Sequence, residues 1–132
     1  MQGDINDPEV WADAPNADRL SHVLALDCAY HFPSRVEFFS LARQHLAPLG
    51  RLALTDFILS DHHQTHSLAH RLLCWMLGRS HIARANMVDR DHYLRQLQDS
   101  GFSDIRMIDI SAYVMPGLAQ FIRRLRQDKV AA

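Results

Sequence analysis

The sequence predicts an α/β fold built on parallel strands, and three observations carry that expectation. Two apolar runs, His22 to Asp27 (HVLALD) and Arg51 to Leu59 (RLALTDFIL), lack the alternation of a strand with one wet face and read as strands buried on both faces. Between them Ser34-Arg35-Val36-Glu37 has capping-box spacing, in which the serine hydroxyl and the glutamate carboxylate can satisfy orphan amides at a helix start. Strand, helix and strand within about 40 residues make a crossover unit, which sets the two strands parallel and is right-handed in nearly all cases.

The elements follow in order. The opening MQGDINDPEVWADAPNADR is polar and turn-rich, with at most one helical turn after Pro8. The first strand is expected at about 22–27. A helix from Ser34 to about Leu46 follows, with Val36, Phe39, Leu41, Ala42 and Leu46 on its apolar face, and Ala47-Pro48-Leu49-Gly50 stops it. The second strand is expected at about 51–58. From Asp61 to Leu77 the period is helical, with Leu68, Leu72, Trp75 and Met76 on one side. The segment GRSHIARANM reads as a linker into a helix from Asp89 to Ser100, with Asp89 as N-cap and Gly101 as C-cap. Asp104 to Ser111 (DIRMIDIS) reads as a third strand, and Gly117 to Lys129 as a basic amphipathic helix.

At 132 residues and 48% hydrophobic content, residues 1–132 fit a single domain with one core. The formal charge of -1, from 14 basic and 15 acidic side chains, provides no field to recruit nucleic acid or an anionic membrane. Arg123, Arg124, Arg126 and Lys129 lack interleaved aromatics, so they read as a solvated face. No apolar run approaches the roughly 18 residues that span a bilayer, and the acidic N-terminus lacks a basic-then-apolar leader, which makes the cytoplasm the expected compartment. Cys28 and Cys74 form no C-x-x-C pair and fit two reduced thiols.

In open α/β sheets ligands bind beyond the carboxyl ends of the strands. There Asp27, Cys28, Tyr30 and His31 leave one strand, while Thr55 and Asp56 leave the other. A histidine oriented by a carboxylate is a usable general base near neutral pH, so His31 with Asp56 is the candidate catalytic dyad. The spacing leaves an alternative open, with His31 capping a loop and Asp56 accepting backbone amides.

The order of GDI at residues 3–5, HVLALDCAYHF, a helix ending in LAPLGRLALTDF and then HYLRQLQDSGFSDIRMIDIS resembles the class I S-adenosylmethionine-dependent methyltransferases, in particular the small-molecule type with the methyltransferase type 11 pattern. The resemblance covers roughly residues 3–111. LAPLGRLAL stands where that family has a leucine-lysine-proline-glycine-glycine turn into its fifth strand, with Leu49 in place of the first turn glycine. GFSDIR stands where a glycine-phenylalanine precedes the sixth.

The resemblance implies an incomplete Rossmann-like methyltransferase sheet with flanking helices, the carboxyl-terminal part of such a domain. It implies S-adenosyl-L-methionine as cofactor, a small-molecule acceptor, Asp4 at the adenine amine, and Asp27 and Cys28 beside the methionine portion. His31 and Asp56 look like the base dyad of rebeccamycin-type sugar O-methyltransferases of this fold. The Asp61 to Leu77 helix would be a lid, with Tyr30, Trp75 and Met76 as substrate contacts; ordinary core packing is the competing reading for Trp75 and Met76.

The family's glycine-rich cofactor turn is not found. The five glycines stand apart at 3, 50, 78, 101 and 117, so the cofactor site is expected to be incomplete and the chain by itself to bind cofactor weakly or not at all. An uncovered parallel edge invites self-association or a complementing amino-terminal half. A non-catalytic remnant or interaction module pairing through that edge is the rival reading. His62, His66 and His70, spaced i, i+4 and i+8, suggest a third, a metal-binding helix, but supply too few ligands, and no metal is expected.

Overall fold

In the computed structural model, which describes residues 4–12, 20–59 and 68–130, the two apolar runs pair as expected. β1 (Leu20–Leu26) and β2 (Leu46–Thr55) form a parallel two-stranded sheet, with His22 opposite Arg51, Leu24 opposite Ala53 and Leu26 opposite Thr55. The connection runs through a 3-10 turn at Ala29–His31 and helix α2 (Arg35–His45). Both strands therefore end on one edge, at Asp27 and Asp56.

The cap of α2 forms by half the expected exchange. Ser34 Oγ accepts from the Glu37 amide at 3.2 Å, whereas the Glu37 carboxylate accepts from Asn6 Nδ2 at 3.4 Å. Phe38, Phe39, Ala42 and, just beyond the helix, Leu46 are buried, but Val36, expected on the apolar face, lies toward solvent. The short helix α1 (Pro8–Ala12) brings Trp11 onto this layer, its ring stacked on His45 at 5.4 Å and its Nε1 donating to the Ile5 carbonyl.

The expectation of strands buried on both faces is corrected. Val23, Ala25, Leu52 and Leu54 belong to the core with α2, whereas Leu24 and Leu26 are 65% and 67% exposed. Among the described residues no layer covers that second face. An unbroken apolar run records that both faces suit burial; it carries no information about what covers them.

Leu46 already pairs with Leu20, so residues 47–50 form an irregularity inside β2 where the next match is His22 with Arg51. Leu49 takes a φ of 66° there with its side chain 99% exposed. Left-handed backbone costs a residue bearing a Cβ about 1–2 kcal/mol, part of which glycine offsets through its freer unfolded chain. Leu49→Gly should therefore stabilise the fold by about 0.5–1 kcal/mol in urea unfolding. Gly50 is constrained differently, since a Cβ there would lie 2.9 Å from the carbonyl oxygens of Leu20 and Ala47.

Helix α3 (Leu68–Arg79) occupies the described part of the expected 61–77 helix; residues 60–67, with His62 and His66, lie outside the described residues. A second 3-10 turn, Arg84–Asn86, interrupts the expected linker. Helix α4 (Arg90–Asp99) matches expectation closely. Asp89 accepts from the His92 amide, and Gly101, at φ 87°, allows the Gly101 and Phe102 amides to close back on the Gln98 and Leu97 carbonyls. Tyr93 and Leu97, one turn apart, are its buried pair.

The third strand expected at 104–111 is not formed: residues 105–110 carry no ladder, although Ile105 and Met107 pack against the core. Alternating apolar residues make a strand only where they pair with an edge, and this segment pairs with neither β1 nor β2. Helix α5 (Ser111–Val130) starts six residues before Gly117 and carries Pro116 inside it. Pro116 cannot donate to the Ala112 carbonyl, which is why the sequence places the start beyond it.

Candidate active site

A side chain from β2 ties the two strand ends. Asp27 leaves β1 at a φ of 55°, its amide donating to Thr55 Oγ1 at 2.8 Å, and its carboxylate accepts from the Tyr30 hydroxyl at 2.9 Å. The chain then closes a 3-10 turn, with the His31 amide on the Cys28 carbonyl and the Phe32 amide on the Ala29 carbonyl. The Tyr30 ring is buried between the His31 ring, 4.3 Å away, and that of Phe57, 4.7 Å away. His31 is left exposed at the rim.

The expected hydrogen bond between His31 and Asp56 is not made. Asp56 Oδ2 instead accepts from the Arg35 guanidinium at 2.8 Å and from the Tyr93 hydroxyl at 3.0 Å, while Oδ1 takes the Phe57 amide at 2.8 Å. The physical reason is burial. A carboxylate 4% exposed requires a cation close by, and the fully buried Arg35 supplies it. Backbone amides, the alternative the spacing leaves open for Asp56, account for only one of its three bonds among the described residues. Tyr93 stacks under the guanidinium at 4.3 Å, and burial followed by the Asp56 charge pushes its phenol strongly up, keeping it a donor.

Imidazole orientation falls to a different group. His31 Nδ1 faces the His81 carbonyl oxygen at 3.4 Å. A carbonyl only accepts, so this contact is satisfied when Nδ1 carries the proton, which leaves Nε2 with its lone pair. The arrangement provides an exposed imidazole at the sheet's carboxyl edge, with one ring nitrogen turned to a carbonyl that favours the proton there.

The other expected site residues fall as follows. Asp4 is exposed, its Oδ1 accepting from the Asn6 amide, and Asn6 Nδ2 donates to the Ser34 carbonyl at 2.7 Å, tethering residues 4–7 to the start of α2 on the same rim. Cys28 is half-buried with its thiol pushed up by burial, then by the charges of Asp56 and Asp27, which disfavours the thiolate. Cys28 and Cys74 are both outside any disulfide. Trp75 and Met76 are 60% and 54% exposed, so the core-packing reading is overturned for both; Arg79 lies over the Trp75 ring at 5.6 Å. Among the described residues no three His, Cys, Asp or Glu side chains are grouped to hold a metal. Among them, too, no helix is long and apolar enough to cross a membrane.

Arg35, Tyr93, Asn86 and the His81 carbonyl were not legible as site residues. One signal was present for Arg35: a cation in the first turn of a helix opposes the macrodipole and needs a specific partner.

Tyr30 supplies a pH test. Its phenol is pushed up to about 12, by burial first and then by the bond to Asp27, from an ordinary 10.0. The folded state thus holds a proton that the unfolded chain releases, so this contribution to stability is complete below pH 10 and is lost as pH rises toward about 12. Alkaline urea titrations should show stability falling across that window, with a shallower fall in Tyr30→Phe.

The chain is similar to the erythromycin 3''-O-methyltransferase of Saccharopolyspora erythraea, with 31% identity over 116 residues, which is 85% of this chain and 38% of that enzyme. The chain therefore spans well under half the length of this relative. No protein-family model and no solved structure matches the chain. The similarity supports a place in a methyltransferase family, consistent with the mixed α/β layout and its parallel strands.

Proposed function

We propose that this chain is the carboxyl-terminal portion of an S-adenosyl-L-methionine-dependent methyltransferase that acts on a hydroxyl of a small molecule. The observation that carries the reading is an exposed histidine, His31, at the carboxyl edge of a parallel pair, in a chain similar to an O-methyltransferase.

The rim fits the cofactor in part. Asp4 and Asp27 are exposed carboxylates there, suited to the adenine amine and the methionine end, with Cys28 beside Asp27. No described glycine lines the rim to let backbone amides cradle a ligand: Gly78 lies in α3, Gly117 in α5, Gly101 at the end of α4, and Gly50 is packed against backbone. The remaining cofactor contacts are accordingly assigned to residues outside the described ones.

When bound, S-adenosyl-L-methionine supplies a methyl group on a cationic sulfur. His31 Nε2 accepts the acceptor's hydroxyl proton as the oxygen becomes the nucleophile, and Nδ1 keeps its own proton on the His81 carbonyl. Asp56 acts through the fold, by anchoring Arg35. Trp75 and Met76 offer an apolar surface for the acceptor, and the Tyr30 ring backs the imidazole. The uncovered face at Leu24 and Leu26, together with the free edge of β1, is where a complementing polypeptide or a second copy would pack.

The test is calorimetric titration with S-adenosyl-L-methionine of the chain by itself and of the chain coexpressed with the part of the relative that it does not span. Binding is expected at micromolar ligand only in the coexpressed assembly, accompanied by transfer of labelled methyl to a panel of small-molecule alcohols. Absence of binding and transfer from an assembled, folded complex would remove the reading.

A further inference from the structure

The geometry points to Asn86 as the positioning residue for His31, clamping the backbone on both sides of it while the His81 carbonyl, from the same loop, sets its tautomer. This inference rests on the reading of His31 as the proton acceptor. Asn86 is 3% exposed and sits in the segment that the sequence presents only as a linker. Its Nδ2 donates to the carbonyl of Phe32 at 2.7 Å and to that of Tyr30 at 3.3 Å, the two residues flanking His31. Its Oδ1 accepts from the Arg35 amide at 3.2 Å, and its own carbonyl accepts from the Arg35 guanidinium at 3.0 Å.

The amide orientation is dictated by these partners, because two carbonyls must face the NH₂ and an N–H must face the oxygen. One side chain thus fastens residues 30, 32 and 35 together, with His31 inside the span. Arg35 in turn is held by Asp56, so the strand end, the helix start and the 80–86 loop are joined through buried bonds. His81 reaches the imidazole from the near end of that loop, where its φ of 60° turns the carbonyl. A residue bearing a Cβ resists this conformation, so the surrounding structure must hold it. The closure of α3 does so, the His81 amide donating to the Gly78 carbonyl and the Ile82 amide to that of Leu77; Asn86 holds the other side of the contact, the backbone that carries His31.

An amide that only stabilised the turn would cost stability without changing where the imidazole proton resides. The positioning role predicts that it does change. Nitrogen-correlated NMR of the full chain reads the tautomer of His31 directly, with assignment by His31→Gln. The wild type should carry the proton on Nδ1. In Asn86→Ala and Asn86→Asp, kept to samples with dispersed amide spectra, the two ring nitrogen resonances should move toward each other as the tautomers mix. His81→Asn, which keeps the backbone carbonyl and tolerates left-handed φ, should leave them in place.

A wild-type imidazole protonated on Nε2 overturns the inference without any variant, as do unshifted ring nitrogens in the folded Asn86 variants. Hydrogen exchange on the wild type adds a test that does not depend on variants folding: the Asn86 side-chain protons should exchange slowly, and exchange at the rate of an exposed amide overturns the clamp. None of these readouts requires methyl transfer. If His31→Gln leaves turnover unchanged in the assembled enzyme, the base reading fails while the clamp stands.

Discussion

Asp56→Ala is expected to destabilise the fold by about 3–5 kcal/mol, the range for removing one partner of a buried ion pair. The loss is large because Arg35 is fully buried and, among the described residues, its Nε has no hydrogen-bond partner, so deleting the carboxylate leaves the guanidinium the Asn86 carbonyl at 3.0 Å, the Gln96 side chain at 3.5 Å and the face of the Tyr93 ring at 4.3 Å. Tyr93 loses the acceptor of its hydroxyl in the same step. For a chain of this size a loss of about 3 kcal/mol corresponds to a fall of roughly 10 °C in melting temperature. Arg35→Met with Asp56→Leu removes both charges and should recover most of that stability, since apolar replacements of buried ion pairs are commonly near neutral. Urea unfolding of the single and paired variants measures both. A single variant within about 1 kcal/mol of wild type would show that the carboxylate is not holding a buried charge.

His31→Ala should lower methyl transfer by the assembled enzyme by about 10²–10⁴-fold, the usual contribution of a positioned general base, with the melting temperature almost unchanged. The exposed ring explains the second half, since it covers one side of Tyr30 while Phe57 keeps the other, and the cost of a mostly exposed side chain stays at about 1 kcal/mol or less. The two substitutions therefore separate their roles. In Asp56→Asn, activity should fall in step with the folded fraction and return as temperature is lowered; in His31→Ala it should stay low at every temperature at which the protein is folded. Turnover within a few-fold of wild type in His31→Ala would remove the imidazole from the chemistry. A temperature-independent loss in Asp56→Asn would return the carboxylate to a direct part in it.

The features legible in the sequence were those whose cause is local. The Ser34 and Asp89 caps, the Gly101 stop and the helices at Arg35–His45 and Arg90–Asp99 follow from side chains bonding to backbone a few residues away. The parallel pairing of β1 and β2 follows nearly as directly, because a crossover helix of that length leaves little choice. Misreadings arose where an element depends on a distant neighbour. Asp104 to Ser111 has a strand's alternation but pairs with neither strand of the sheet, and Leu24 and Leu26 suit burial but face solvent. At α5 the helix runs through Pro116, a residue that single-chain reasoning treats as a boundary.

The candidate site divides along the same line. Proximity along the chain and parallel pairing were enough to bring Asp27, Cys28, Tyr30, His31, Thr55 and Asp56 to one edge, since direction and register follow from apolar pattern and connection length. Which of those groups bond to each other was decided only in three dimensions. Hydrogen bonds and ion pairs go to whichever donor is near and most costly to leave unpaired, and here that donor was Arg35, buried by the packing of α2 and α4 around Phe39 and Tyr93. The carboxylate went to the guanidinium, and the imidazole was left to a carbonyl 50 residues downstream.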